Sequence, residues 1–314
     1  MLRYWPVALV GLLIISLTLV GSVRLLRPTL ALPGAVTIAH AEPGPRRIDS
    51  LTPAPAAPIE DLRRSEPAAN PQPLTFSTSF TPRVSRSIGY VPILMYHYIR
   101  EVHESDDPVG FRLSVQPARF AEQLAWLAAE GYEPLRMADL AACLRAERAC
   151  PPRPVALTFD DGYADAATKA LPILRHYGFS ATFYIVTEFV GQPGYLTWEQ
   201  VKELHEAGME IGSHTLSHAA LTGLSLAQAR VELVRSKTIL ERRLGIPIES
   251  FSYPAGEHNA ELAELVRELG YSNAVITLAA NLPQNLYTLP RRRVLGGETI
   301  AGFPWYMVPA SRQE

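Results

Sequence analysis

From Ile88 to the end of this 314-residue chain, short apolar runs alternate with amphipathic stretches of helical period. No other feature restricts the fold as much. A strand followed by a helix returns to the same sheet parallel to its predecessor, so repeated alternation builds a parallel sheet covered by helices. The predicted strands are Pro92–His97, Val155–Phe159, Ala181–Val186, Glu210–Ser213, Ser250–Tyr253 and Ala274–Ile276. Between them, Pro117–Glu130 is a predicted helix: it has an early proline, Phe120, Leu124 and Leu127 at helical spacing, and Gly131 as its stop. Thr197–Gln200 and Ser225–Gln228 each have the spacing of a capping box that opens a helix. Residues 88–314 are therefore expected to form one α/β domain with a largely parallel sheet, for which closure into a barrel is one solution.

The first 87 residues read differently. Arg3 precedes an uncharged, mostly apolar run from Pro6 to Val23, and Arg24 and Arg27 follow it. About 18 apolar residues just span a hydrocarbon core as a helix. The nearest small-x-small cleavage pattern, Ala39-His40-Ala41, lies well past the run, so an uncleaved membrane anchor over 1–27 is expected in preference to a cleaved signal. Residues 28–87 are rich in Pro, Ala, Ser and Thr, as in Pro53-Ala54-Pro55 and Pro71-Gln72-Pro73, and hold no apolar periodicity. Such a segment reads as a disordered tether that holds the 88–314 domain away from a membrane, expected on its extracytoplasmic face, or secreted if the first segment is cleaved; charge does not set the orientation, because Arg3 and the amino terminus balance Arg24 and Arg27. Lys+Arg 29 against Asp+Glu 31 leaves no basic footprint for nucleic acid. Two cysteines exclude a disulfide-built scaffold, although Cys143 and Cys150 are close enough in sequence for a disulfide in an oxidising compartment.

Two motifs carry chemistry. Thr158-Phe159-Asp160-Asp161-Gly162 puts adjacent carboxylates at the end of an apolar strand. A metal ion compensates such a pair, taking one Asp as ligand with the other beside it, and Gly162 allows the sharp turn. A surface turn is the plain alternative. His214-Thr215-Leu216-Ser217-His218 follows the strand Glu210–Ser213, and two histidines four apart share one side of a helical turn, with Ser213 or Ser217 available to orient a ring. Two His and one Asp leave positions open for water and substrate. That set suits zinc or another divalent transition metal acting on a carbonyl, with the spare carboxylate as base. Non-haem iron oxygenases share the ligand types but are built on antiparallel jelly rolls, against the alternation here.

The two motifs in this order, together with Pro92-Ile93-Leu94-Met95-Tyr96-His97, Ala181-Thr182-Phe183-Tyr184, Tyr195-Leu196-Thr197-Trp198 and Phe251-Ser252-Tyr253-Pro254-Ala255-Gly256, resemble the polysaccharide deacetylases, the NodB-homology domains of carbohydrate esterase family 4. The likeness extends over most of Ile88–Val294. It implies a distorted, incomplete (β/α) barrel with its site at the C-terminal strand ends, and removal of acetyl groups from N-acetylglucosamine-containing polymers with a divalent metal, zinc being the expected ion. By the resemblance Asp160 is the general base, and Asp161, His214 and His218 are the metal ligands. A backbone N–H after Pro254 is the expected oxyanion donor.

The departures from the family pattern are informative. Ser252 stands where many members carry an Arg, and Ala255 where they carry a Tyr. Arg291, Arg292 and Arg293 are the candidates to supply the missing guanidinium; on a strand Arg291 and Arg293 share one face, and Arg291 is preferred. No histidine follows His258, so the usual C-terminal Leu-x-His acid is absent. His97 resembles instead the early Met-Tyr-His histidine of the poly-N-acetylglucosamine branch, with the role of protonating the leaving amine. Trp198 is a candidate sugar platform or a packing residue. A deacylase for another amide or an O-acetyl ester such as acetylxylan, and an inactive glycan-binding scaffold, are the alternatives.

Overall fold

A computed structural model describes residues 90–277 and 285–309. The expected anchor at 1–27 and the whole tether at 28–87 fall outside these residues. Among the described residues no helix is long and apolar enough to cross a membrane.

The strands are β1 (Ile93–Tyr96), β2 (Tyr98–Ile99), β3 (Ser114–Val115), β4 (Glu133–Pro134), β5 (Pro154–Phe159), β6 (Thr182–Ile185), β7 (Glu210–Ser213), β8 (Ser250–Ser252), β9 (Asn273–Ile276), β10 (Leu289–Pro290) and β11 (Arg292–Arg293). The helices are α1 (Pro108–Leu113), α2 (Pro117–Ala129), α3 (Met137–Leu144), α4 (Leu171–Tyr177), α5 (Trp198–Glu206), α6 (Leu226–Leu244) and α7 (Ala260–Glu268). The six long predicted strands and helix α2 form with no end shifted by more than one residue, and β7 has the predicted bounds. Both capping boxes are present, with Thr197 and Ser225 each accepting from the N–H three residues on.

Neighbours run in the order β10-β9-β8-β7-β6-β5-β1-β11, with β4 added beside β5. Every pairing is parallel. The two ends of this path, β10 and β11, are consecutive in the chain with Arg291 between them. One interrupted strand therefore lies against β9 with its first half and β1 with its second, bringing the sheet to the edge of closure with one seam. This is the incomplete (β/α) barrel that the resemblance implied.

Side-chain alternation separates two cores. Leu94 and Tyr96, Val155, Leu157 and Phe159, and Phe183 and Ile185 belong to the larger cluster, packed against α2, α4, α5 and α6. The intervening Ile93, Ala156, Tyr184, Val275 and Leu289 form the smaller one with Met137 and Leu140 of α3, which closes the lower end of the barrel. The Tyr184 ring fills the interior where Gly212 leaves room: a Cβ there would lie 2.5 Å from the ring. Continuing inward along the same parity, Ala156 is followed by Thr158 and Asp160, and Leu289 by Arg291. A polar layer thus lies above the apolar one, at the C-terminal ends of the strands where α/β barrels place their chemistry. Cys143, in the last turn of α3, is joined to Cys150 in a disulfide.

Candidate active site

Asp160 follows β5 and is 4% exposed; Arg291, in the break between β10 and β11, is 1% exposed. Their side chains meet fork to fork, Nη1 donating to Oδ1 at 2.7 Å and Nη2 to Oδ2 at 2.7 Å. The remaining guanidinium donors are also used: Nη1 reaches Thr158 Oγ1 at 3.1 Å, Nη2 reaches Ser252 Oγ at 3.0 Å, and Nε reaches the Ile276 carbonyl at 3.4 Å. A buried ion pair is tolerable only when its leftover donors and acceptors are met in this way. Burial alone would raise the Asp160 carboxyl, but the Arg291 charge, with His214 and His97, holds it well below the usual carboxylate range. Of the three consecutive arginines, Arg291 alone points into the site. Arg292 turns outward to the Tyr90 hydroxyl and the Trp305 carbonyl, and Arg293 is exposed. Ser252, which stands where many members of the resembled family carry an arginine, accepts from this guanidinium through its hydroxyl.

Asp161, His214 and His218 offer ligand atoms that all lie within 4.8 Å of one another. Both Nε2 atoms are 3.4 Å from Asp161 Oδ1. The His214 Nδ1 is 2.8 Å from the Ser252 carbonyl oxygen, so it carries the proton and leaves the Nε2 lone pair facing the cluster. Neither serine proposed from sequence does this orienting: Ser213 bonds Ser236, and Ser217 donates to Glu232. Two imidazole nitrogens and a carboxylate oxygen, one ring fixed in tautomer, fit a divalent cation with open positions.

The backbone that presents these groups is strained. Among the described residues, Ala146, Asp161, Thr215, His218 and Ala255 are the non-glycine residues with positive φ, and all but Ala146 lie in site loops. The expected helical turn between the histidines does not form. Thr215 (φ 66°) and His218 (φ 64°) are left-handed, and the Thr215 hydroxyl accepts from the His218 N–H at 3.0 Å to make the turn. Likewise Gly162 is not the sole pivot after Asp160, because Asp161 itself has φ 73°. Glu232 of α6 holds the histidine loop from behind, accepting from the Leu216 and Ser217 N–H groups at 3.0 Å each. Sequence reasoning missed Glu232, since an acidic residue on a helix gives no sign of a distant loop partner. The third motif forms a 3-10 turn, Pro254–Gly256, seated so closely on Thr277 that a Cβ at Gly256 would lie 2.3 Å from its nitrogen.

His97 follows β1 at the same rim. Burial lowers its basicity, helped by Arg293 and Arg291 and opposed by Asp160 and Asp161. The structure thus brings together all the residues singled out for chemistry: Asp160, Asp161, His97, His214, His218 and Arg291. Trp198 is instead half-buried against the core with the Arg243 guanidinium 5.1 Å from its ring centre.

A parallel barrel with a two-histidine, one-carboxylate donor set and a second, arginine-held carboxylate at its rim defines a class of hydrolytic α/β barrels. The comparisons narrow it. The polysaccharide deacetylase family profile matches residues 147–274. The Bacillus subtilis (strain 168) polysaccharide deacetylase-class protein YxkH is 33% identical over 219 residues, covering 69% of this chain and 76% of that protein. The Escherichia coli (strain K12) poly-β-1,6-N-acetyl-D-glucosamine N-deacetylase is 27% identical over 236 residues, 61% of this chain but 35% of that longer protein. Among solved structures, the Streptococcus pyogenes deacetylase PplD in complex with acetate superposes with a TM-score of 0.65 at 30% identity, covering 70% of this chain and 98% of that one. The chain belongs to the polysaccharide deacetylase family.

Proposed function

We propose that the protein hydrolyses N-acetyl groups from an N-acetylglucosamine-containing polysaccharide of the cell wall or exopolysaccharide. The observation that carries this reading is the buried Asp160–Arg291 pair set beside the Asp161–His214–His218 cluster at one barrel rim. The glycan class is supported by relatives named for deacetylation of poly-N-acetylglucosamine and peptidoglycan N-acetylglucosamine.

In this reading Asp161, His214 and His218 hold a divalent ion, zinc by donor type, which when bound supplies a Lewis acid for the acetyl carbonyl and the attacking water. Asp160, kept ionised and oriented by Arg291, accepts a proton from that water as it adds to the carbonyl carbon. Within the Pro254–Gly256 turn the Gly256 N–H is taken by the Tyr253 carbonyl and Pro254 has none, so the Ala255 N–H is the expected donor to the developing oxyanion. His97 gives a proton to the sugar nitrogen as the C–N bond breaks, so amine and acetate leave. The apolar run Pro6–Val23 supports a membrane-anchored, extracytoplasmic placement, or secretion if it is cleaved. The Cys143–Cys150 disulfide agrees with an oxidising compartment.

A direct comparison of acyl substrates tests this. The full chain, loaded with zinc, is expected to release acetate from N-acetylglucosamine oligomers at least about tenfold faster, in kcat/KM, than from acetylated xylan. Faster release from the xylan ester would assign the site to O-acetyl esters instead.

A further inference from the structure

Among the described residues no hydrogen bond holds the His97 imidazole, whereas the backbone on either side of it is fixed. On one side β1 is fixed in the barrel between β5 and β11. On the other side the next two residues are docked on the segment that follows the paired aspartates. The Tyr98 ring stacks on Tyr163 with centroids 3.7 Å apart and planes 20° from parallel. The Ile99 N–H donates to Asp165 Oδ2 at 3.0 Å. Arg100 completes the strap, with its guanidinium 3.7 Å from the Tyr98 ring centre and its Nε donating to Ser114 Oγ at 3.0 Å.

Asp165 makes this contact at a disadvantage. Its second oxygen, Oδ1, meets no well-formed hydrogen bond, and desolvation pushes the carboxyl up to about 6 despite the Ile99 N–H, the Arg100 charge and the nearby N–H groups of Asp165 and Ala166. A half-buried carboxylate with one poorly satisfied oxygen contributes little to stability, so stability alone does not explain the residue. It also opens the π-helical turn Ala166–Ala170, an irregularity common near functional sites. The carboxylate fastens the backbone two residues beyond His97 to the backbone four residues beyond Asp161.

We propose that Asp165 is a positioning residue for His97, acting through the Ile99 N–H to fix the distance between the imidazole and the paired-aspartate loop. This rests on His97 being the proton donor proposed above. The position matters because a displacement of about 1 Å in a reacting group lowers a rate by about 10²-fold.

The test is a double-mutant cycle on the full, zinc-loaded chain, reading kcat and KM on an N-acetylglucosamine oligomer and zinc affinity. Asp165→Ala is expected to lower kcat about 10²-fold, with KM and zinc affinity changed less than about threefold. Asp165→Asn keeps an acceptor for the Ile99 N–H and is expected to restore kcat to within about threefold of the native chain. In a His97→Ala background, Asp165→Ala is expected to lower kcat no further. An equal loss in both backgrounds, or native kcat in Asp165→Ala, would overturn the proposal while leaving His97 in the mechanism. If His97→Ala alone turns over like the native chain, the underlying reading fails and takes this proposal with it. Should Asp165→Ala not fold, Tyr163→Leu, which removes the ring stack, is read in the same cycle with the same expected non-additivity.

Discussion

Arg291→Met is expected to destroy turnover and destabilise the domain together. The guanidinium is the main compensating charge for a carboxylate that is 4% exposed, and it binds both carboxylate oxygens. Removing one partner of such a pair strands the other charge and costs about 3–5 kcal/mol. For a domain of this size that corresponds to a fall in melting temperature on the order of 10 °C. Turnover is expected to drop by about 10²-fold or more, because Asp160 then either takes up a proton or loses its orientation. Arg291→Lys is expected to recover little, since an ammonium cannot reproduce the fork or reach Thr158, Ser252 and Asp160 at once. Adding Asp160→Asn to Arg291→Met removes the stranded charge, so melting temperature rises again while turnover stays lost. The pH dependence has a definite sign. Asp160 is depressed in the folded state, so the pair's contribution is fully present above the unfolded aspartate value and is lost as pH falls through the folded value. The Asp160 contribution to native stability is therefore expected to be constant over about pH 5 to 8 and to be lost only in acid, whereas the melting-temperature gap to Arg291→Met narrows as the stranded Asp160 of that variant takes up a proton. Native stability and native turnover in Arg291→Met would contradict the role of the pair.

His97→Ala is the second large effect. A positioned general acid contributes about 10²–10⁴-fold, and no histidine follows His258 in the sequence to stand in for it. The imidazole lies at the rim with Asp160 and Asp161 but outside the donor cluster of Asp161, His214 and His218. Zinc affinity is thus expected to stay within about threefold of native while kcat falls by that factor. Loss of zinc binding in His97→Ala would move the residue from proton transfer to metal holding, and unchanged kcat would remove it from the chemistry.

The parts of the fold that were legible in the sequence are those with long apolar runs. β5 is buried at all six positions and reads as a continuous hydrophobic strand, as a strand covered on both faces must. β2, β3 and β4 are two residues each and carry no periodicity to read. The convergence of Asp161, His214 and His218 was legible because carboxylates and imidazoles at strand ends have few structural uses. Their geometry was not: a spacing of four suggests a helical turn, whereas the left-handed Thr215 and His218 reach the same convergence through a side-chain-braced loop. The tautomer of His214 rests on a backbone carbonyl, that of Ser252, which no side-chain pattern announces. Arg291 could be reached because Ser252 left a guanidinium missing and strand parity offered a candidate. Glu232 and Asp165 could not, because each acts on backbone N–H groups of a segment remote in sequence.

The most direct test of the central claim, a metal-dependent deacetylase, is acetate release by the full chain from N-acetylglucosamine oligomers, first stripped of metal and then restored with zinc. Release is expected to vanish on stripping and to return on restoration, and to stay absent after restoration in His214→Ala, which breaks the donor set. Release that persists in the stripped chain, or that survives His214→Ala undiminished, would contradict it.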